Sequence, residues 1–184
     1  SQDIIENLKL KTAQNQRNVI DTDHHAYELY LRGKFIYQEK KTEEDIEVAK
    51  GLFKESISID SNLVLSYLHL GDLFYDKQEY DKAEEIYQEG YNISKNNKDE
   101  RLLAYSLKSL SRVYLYYRDY DNFNQSNMQV TKVFNNINDI RGIAENFEIM
   151  GDMYDKRYDY EKSRVNYEKS KEIYEELGYK RNIA

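Results

Sequence analysis

"LGDLFYDKQEYDKAEEIY", residues 70–87, is written again as "MGDMYDKRYDYEKSRVNY" at 150–167, with a blurred copy between them, "LSRVYLYYRDYDNFNQSN" at 110–127. The small residues Gly71, Ser111 and Gly151 stand 40 residues apart, and so do Tyr80, Tyr120 and Tyr160. A spacing that keeps two landmarks in step marks an internal repeat, and a repeat decides the fold class ahead of any single residue. The 184 residues therefore read as one elongated array rather than as one or two ordinary domains.

Composition agrees. The chain has no proline, cysteine or tryptophan, 33% charged residues and 19 tyrosines. Without proline the commonest helix breaker is missing, which suits a nearly all-helical chain. Without cysteine there are no disulfides and no thiolate metal sites. A net charge of −7 and a pI near 5.1 argue against a nucleic-acid surface, which needs a surplus of Lys and Arg. No apolar run reaches the length of a membrane span and no signal peptide opens the chain, so a cytoplasmic location is expected. The sequence begins at Ser1 without methionine and closes on "YKRNIA", which reads as the start of a further helix, so a piece of a larger protein is expected.

Along the chain, Ile4, Ile5, Leu8, Ala13 and Val19 suggest a leading helix that ends in the polar linker "DTDHH"; residues 1–25 form this lead-in. The array follows over 26–184, in units of approximately 26–61, 62–98, 99–138 and 139–178, with the opening of a fifth. In the first unit Gly33 allows a close helix approach, and Thr42 with Asp45 suggests a capping box. In the second, Val64, Tyr67, Leu70 and Phe74 form an apolar stripe, residues 78–80 a turn, and Asp81 a cap. The third unit's second helix is expected from Asp121; Asp139 is a further capping candidate and Gly178 a stop.

These residues resemble the tetratricopeptide repeat. The second unit carries the pattern at Tyr67, Leu70, Gly71, Phe74, Tyr80, Ala83 and Tyr87, and the fourth at Phe147, Gly151, Tyr154, Tyr160 and Tyr167. The third keeps Leu107, Leu110, Tyr114 and Tyr120 but has Phe123 for the small alanine and Asn127 for the later aromatic, so its second helix is expected to pack differently or sit further out. The first unit, with Gly33, Ala49 and Phe53, looks like the first repeat behind the effector domain of some bacterial cyclases, kinases and transcriptional regulators. The resemblance implies an all-α, right-handed superhelix of helical hairpins, because one hairpin cannot bury its own apolar stripe. It also implies a concave groove lined by the first helix of each hairpin.

Counted from the small residue, that groove takes Tyr27, Tyr30, Lys34 and Tyr37 from the first unit and Leu68, His69, Asp72 and Tyr75 from the second. The third supplies Tyr105, Lys108, Arg112 and Tyr116, and the fourth Glu145, Glu148, Asp152 and Asp155. Such a groove is tyrosine-rich at one end, basic in the middle and acidic at the other. Tyrosine and arginine dominate many interfaces, which suits a protein or peptide partner. Lys108 and Arg112 lie one turn apart and either select acidic groups or pair with Glu145, Glu148 or Asp152. Tyrosine at helical spacing is otherwise core packing, and a charge stripe otherwise a solvated face.

No constellation for catalysis stands out. Asp21, Asp23, His24 and His25 offer ligand atoms but no closed metal shell, and no glycine loop for phosphate follows a strand. The expected function is a non-catalytic interaction module without cofactor or metal, in a regulatory or scaffolding part of a signalling protein. Two alternatives stand beside it: a sensor of a short diffusible peptide, and a self-associating structural array.

Overall fold

A computed structural model of the chain describes residues 22–178, all of whose regular structure is helical. The leading helix, Asp21 and the start of the fifth unit lie outside the described residues. The eight described helices are α1 (His24–Glu39), α2 (Glu43–Ile59), α3 (Val64–Asp76), α4 (Tyr80–Asn96), α5 (Glu100–Tyr117), α6 (Tyr120–Asn136), α7 (Ile140–Lys156) and α8 (Tyr160–Glu176). The chain divides into two compact units, one ending at His69 and the other beginning at Leu70. In the first, α1 packs on α2. In the second, each helix from α4 to α8 packs on the next, and α5 also reaches α7. This is the stacking expected of hairpins that bury their stripes against neighbours.

The turns explain the 40-residue period. Gln78, Lys98, Arg118, Asn138, Tyr158 and Gly178, one every 20 residues, all have positive φ, between 53° and 74°. Each ends one helix in the left-handed conformation, and after the first five the next residue begins the following helix. That next residue is an N-cap at Glu79, Asp99, Asp119, Asp139 and Asp159, and the four aspartates accept a backbone N–H from the first turn. A helix of 17 residues and a three-residue connection thus repeat almost unchanged along α4–α8.

The capping box at Thr42 and Asp45, the cap at Asp139 and the stop at Gly178 form as the sequence implies. Asp81 does not cap: Glu79 holds the N-cap position, its side chain bonding Lys82 rather than capping the backbone, and Asp81 sits inside the first turn of α4. Likewise α6 starts at Tyr120, one residue early, because Asp119 caps it. His24 and His25 are not linker residues but the first turn of α1, where the Asp23 carboxylate accepts from the His25 and Ala26 backbone.

Small residues on one helix of a hairpin meet rings on the other. A Cβ on Gly33 would stand 2.8 Å from the Phe53 ring, and one on Gly151 2.7 Å from the Tyr167 ring. Gly71 faces Tyr87 more tightly still. In the third unit the volumes are exchanged. Phe123 replaces the alanine and is fully buried with Leu115, Ile149 and Met153, while Asn127, one turn on, takes the aromatic position. Asn127 donates to Asn146 of α7 (2.9 Å), and Asn146 donates to Thr131 (2.9 Å). The helix is not displaced outwards; its ring has moved one turn and a satisfied polar network fills the vacated position.

Candidate functional site

The compact part of the chain that ends at His69 gathers its aromatics around that residue. The His69 ring lies 5.4 Å from Tyr30, 5.7 Å from Phe53 and 6.4 Å from Tyr37, two of these contacts being edge-to-face. Its Nδ1 donates to the Leu65 carbonyl at 3.0 Å. Tyr30 is only 3% exposed and Leu68 7%, so these two expected groove residues belong to the core, where large side chains at this position fill the space between helices. Burial, with the Tyr27 hydroxyl beside it, pushes the Tyr30 hydroxyl up to about 12. Tyr27 is exposed and packs on Tyr30; Tyr37 lies under the Lys40 ammonium at 3.8 Å; Lys34 is half-exposed.

In the compact part of the chain that begins at Leu70 the candidate residues form a connected polar and aromatic network. Asp72 accepts from the Tyr87 hydroxyl at 2.7 Å and from Arg112 Nη1 at 3.0 Å, and the Arg112 guanidinium lies 4.1 Å over the Tyr75 ring. Lys108 bonds Glu145, sits 4.7 Å over the Tyr105 ring, and shares Glu145 with Arg141. Tyr105 donates to Asp139 at 3.0 Å. Burial, reinforced by the Asp139 and Glu145 carboxylates, raises its hydroxyl to about 12. Burial also raises Tyr75, against the opposing effect of Arg112.

Both cations are therefore paired within the chain. Of the two uses left open for them, the structure realises pairing, and Arg112 turns back to Asp72 of the preceding hairpin rather than forward to Asp152. Glu148 is half-buried, while Asp152 and Asp155 are exposed. Tyr116 falls one residue out of register: Leu115 is the mate of Tyr75 and Asp155, and it is buried. Tyr116 instead stacks on Tyr80 at a ring separation of 3.6 Å, and Tyr117 donates to Asp81. Tyr80, Tyr117 and Tyr87 thus carry contacts that were not expected of them. A strict count from Gly71, Ser111 and Gly151 exposes the slip at Tyr116 from sequence alone.

These hairpins define a helical-repeat protein of the all-α class. No protein-family model matches the chain, and no curated protein does. Among solved structures it is similar to the crystal structure of BtubC (BKLC) from P. vanneervenii, at 16% identity over 86% of this chain and 67% of that one, with a TM-score of 0.65. At that identity the likeness shows the fold alone. The crystal structure of MamA protein also matches, at 14% identity over 87% of this chain and 98% of that one, but its TM-score of 0.32 carries no argument. No described helix is long and apolar enough to cross a membrane.

Proposed function

We propose that the chain is a non-catalytic protein-interaction module of tetratricopeptide type, and that the face lined by the first helices of its second, third and fourth hairpins binds a cationic partner segment. The observation that carries this is the pairing of Arg112 with Asp72 and of Lys108 with Glu145. Among the candidate residues of those hairpins five carboxylates (Asp72, Glu145, Glu148, Asp152, Asp155) stand against two cations, and both cations are spent. The partner is therefore basic, the reverse of the acidic group that a basic centre would select.

The neighbouring tyrosines supply rigid contact area at low entropic cost, and the carboxylates supply steering and register. The resemblance to repeats attached to bacterial effector domains favours a regulatory or scaffolding role in a cytoplasmic signalling protein. The test is selection of random peptides displayed against the chain. Enrichment of Lys- and Arg-rich peptides that fail on an Asp155→Lys variant of unchanged helicity supports the reading. Enrichment of acidic peptides, or none at all, overturns it.

A further inference from the structure

Arg112 and Lys108, one turn apart on α5, each fill a seat made of a tyrosine ring and a carboxylate. Arg112 lies 4.1 Å over the Tyr75 ring and donates to Asp72 at 3.0 Å; Lys108 lies 4.7 Å over the Tyr105 ring and bonds Glu145. The walls of both seats are held by other groups. Tyr87 fixes Asp72 at 2.7 Å, and the Tyr75 ring meets Tyr80 edge-on at 5.1 Å. Arg141 bonds Glu145 at 3.0 Å, while Tyr105 donates to Asp139 and meets Phe134 edge-on at 5.2 Å. The two cations are held more loosely than the walls. Arg112 and Tyr87 share one oxygen of Asp72, Oδ1, so the guanidinium makes a single bond rather than the paired bonds of which it is capable. Both ion pairs stand partly in water, with side chains 32% and 28% exposed for Arg112 and Asp72 and 15% and 21% for Lys108 and Glu145; pairs of this kind add little stability. Nor does the stacking of the hairpins depend on them, since Tyr116 stacks on Tyr80 and Leu115 packs with Phe123, Ile149 and Met153.

We infer that these are two recognition seats for cations of the partner, and that Arg112 and Lys108 are resident competitors which the partner's side chains replace. This rests on the reading of a cationic partner given above, and adds where its cations go and what sets its affinity. A ring face beside a carboxylate suits a guanidinium or an ammonium, which gains from the ring quadrupole and from the charge together. An arginine entering at Asp72 exchanges like for like: one guanidinium gives up the bond to the carboxylate, another takes it, and Arg112 returns to water. Because the tyrosines and carboxylates are already fixed, the seat needs no rebuilding for the exchange. The apparent affinity is then reduced by the share of molecules in which the resident cation holds the seat. An acidic partner drawn to Arg112 and Lys108 is the poorer occupant, because it would take both cations from Asp72 and Glu145 and meet those carboxylates at close range.

The probe is labelled octa-arginine, titrated into the full chain and followed by fluorescence anisotropy, with helicity of every variant checked by circular dichroism. Arg112→Met keeps a long apolar stem on Tyr75 and vacates Asp72. It should tighten binding about threefold to fivefold, Lys108→Met should do the same, and the two together should give about tenfold or more. Lys132→Met removes an exposed lysine of α6 and controls for net charge; it should change binding by less than about twofold. Asp72→Asn should weaken binding clearly in the Arg112→Met background and barely in the wild type, where it removes the resident's bond along with the partner's. A merely unfolded variant does not give that pattern. Saturable binding to the wild type that both methionine variants leave unchanged or weaken overturns the inference while the cationic-partner reading stands, and so does a gain no larger than that of Lys132→Met. Absence of saturable binding to the wild type and to the double variant alike overturns the reading and the inference together.

Discussion

Gly71→Ala is the sharpest perturbation of the packing between α3 and α4. A Cβ there runs into the Tyr87 ring, which is wholly buried and whose hydroxyl is held by Asp72, itself held by Arg112. The ring has no free direction in which to retreat. Overpacking of this kind costs about 1–3 kcal/mol, and loosening the Tyr87–Asp72 bond adds about 1 kcal/mol. Against this, replacing glycine by alanine in a helix gains about 1 kcal/mol. The net expectation is a destabilisation of about 2 kcal/mol. Gly51→Ala is the control, because a Cβ on Gly51 meets nothing within 4 Å and only the propensity gain of about 1 kcal/mol remains. Urea denaturation followed by circular dichroism measures both, compared at equal slope. In a Tyr87→Leu background the Gly71→Ala penalty should vanish. If Gly71→Ala and Gly51→Ala shift stability alike, the close approach of the helices is not what the glycine serves.

Three further outcomes are expected. Tyr30 and Tyr105 have hydroxyls raised to about 12 in the folded chain, against about 10 unfolded. The folded state then holds protons that the unfolded state releases, so their contribution is fully present below pH about 10 and falls away towards about 12; urea midpoints across that range, with tyrosinate absorbance, check it. Lys98→Gly and Tyr158→Gly should each raise stability by up to about 1 kcal/mol, because both residues sit at positive φ (56° and 62°), a conformation that glycine adopts freely; thermal unfolding against wild type reads the gain. Thr42→Ala removes the side chain that accepts from Asp45 N at 3.1 Å and should cost about 1 kcal/mol, visible as faster amide exchange in the first turn of α2.

The fold was legible because the repeat carries two landmarks in step, and neither depends on side-chain conformation. What escaped was the halving of that repeat. Asp99, Asp119, Asp139 and Asp159 recur every 20 residues and each caps a helix, yet only Asp139 stood out, since an aspartate in an acidic sequence looks like solvated charge until its neighbour turns left-handed. The candidate site was legible in residue type and not in use. Lys108 and Arg112 have the same spacing whether they await a ligand or face Glu145 and Asp72, and contact across hairpins decides between these. Tyr30 and Leu68 were placed in the groove by counting, but the count gives a helix face and not how deeply a large side chain sinks on it. The exchange of Ala83 and Tyr87 for Phe123 and Asn127 reads as decay of the repeat in sequence, whereas the two changes compensate one another in volume and polarity.

The most direct test of the account is to map amide chemical shifts of the chain while adding the cationic peptide enriched by display. Shifts are expected on the first helices of the second, third and fourth hairpins, at Tyr75, Tyr105, Glu148, Asp152 and Asp155, growing to saturation and weakening with salt. Shifts confined to α4, α6 and α8, or none at saturating peptide, would contradict it.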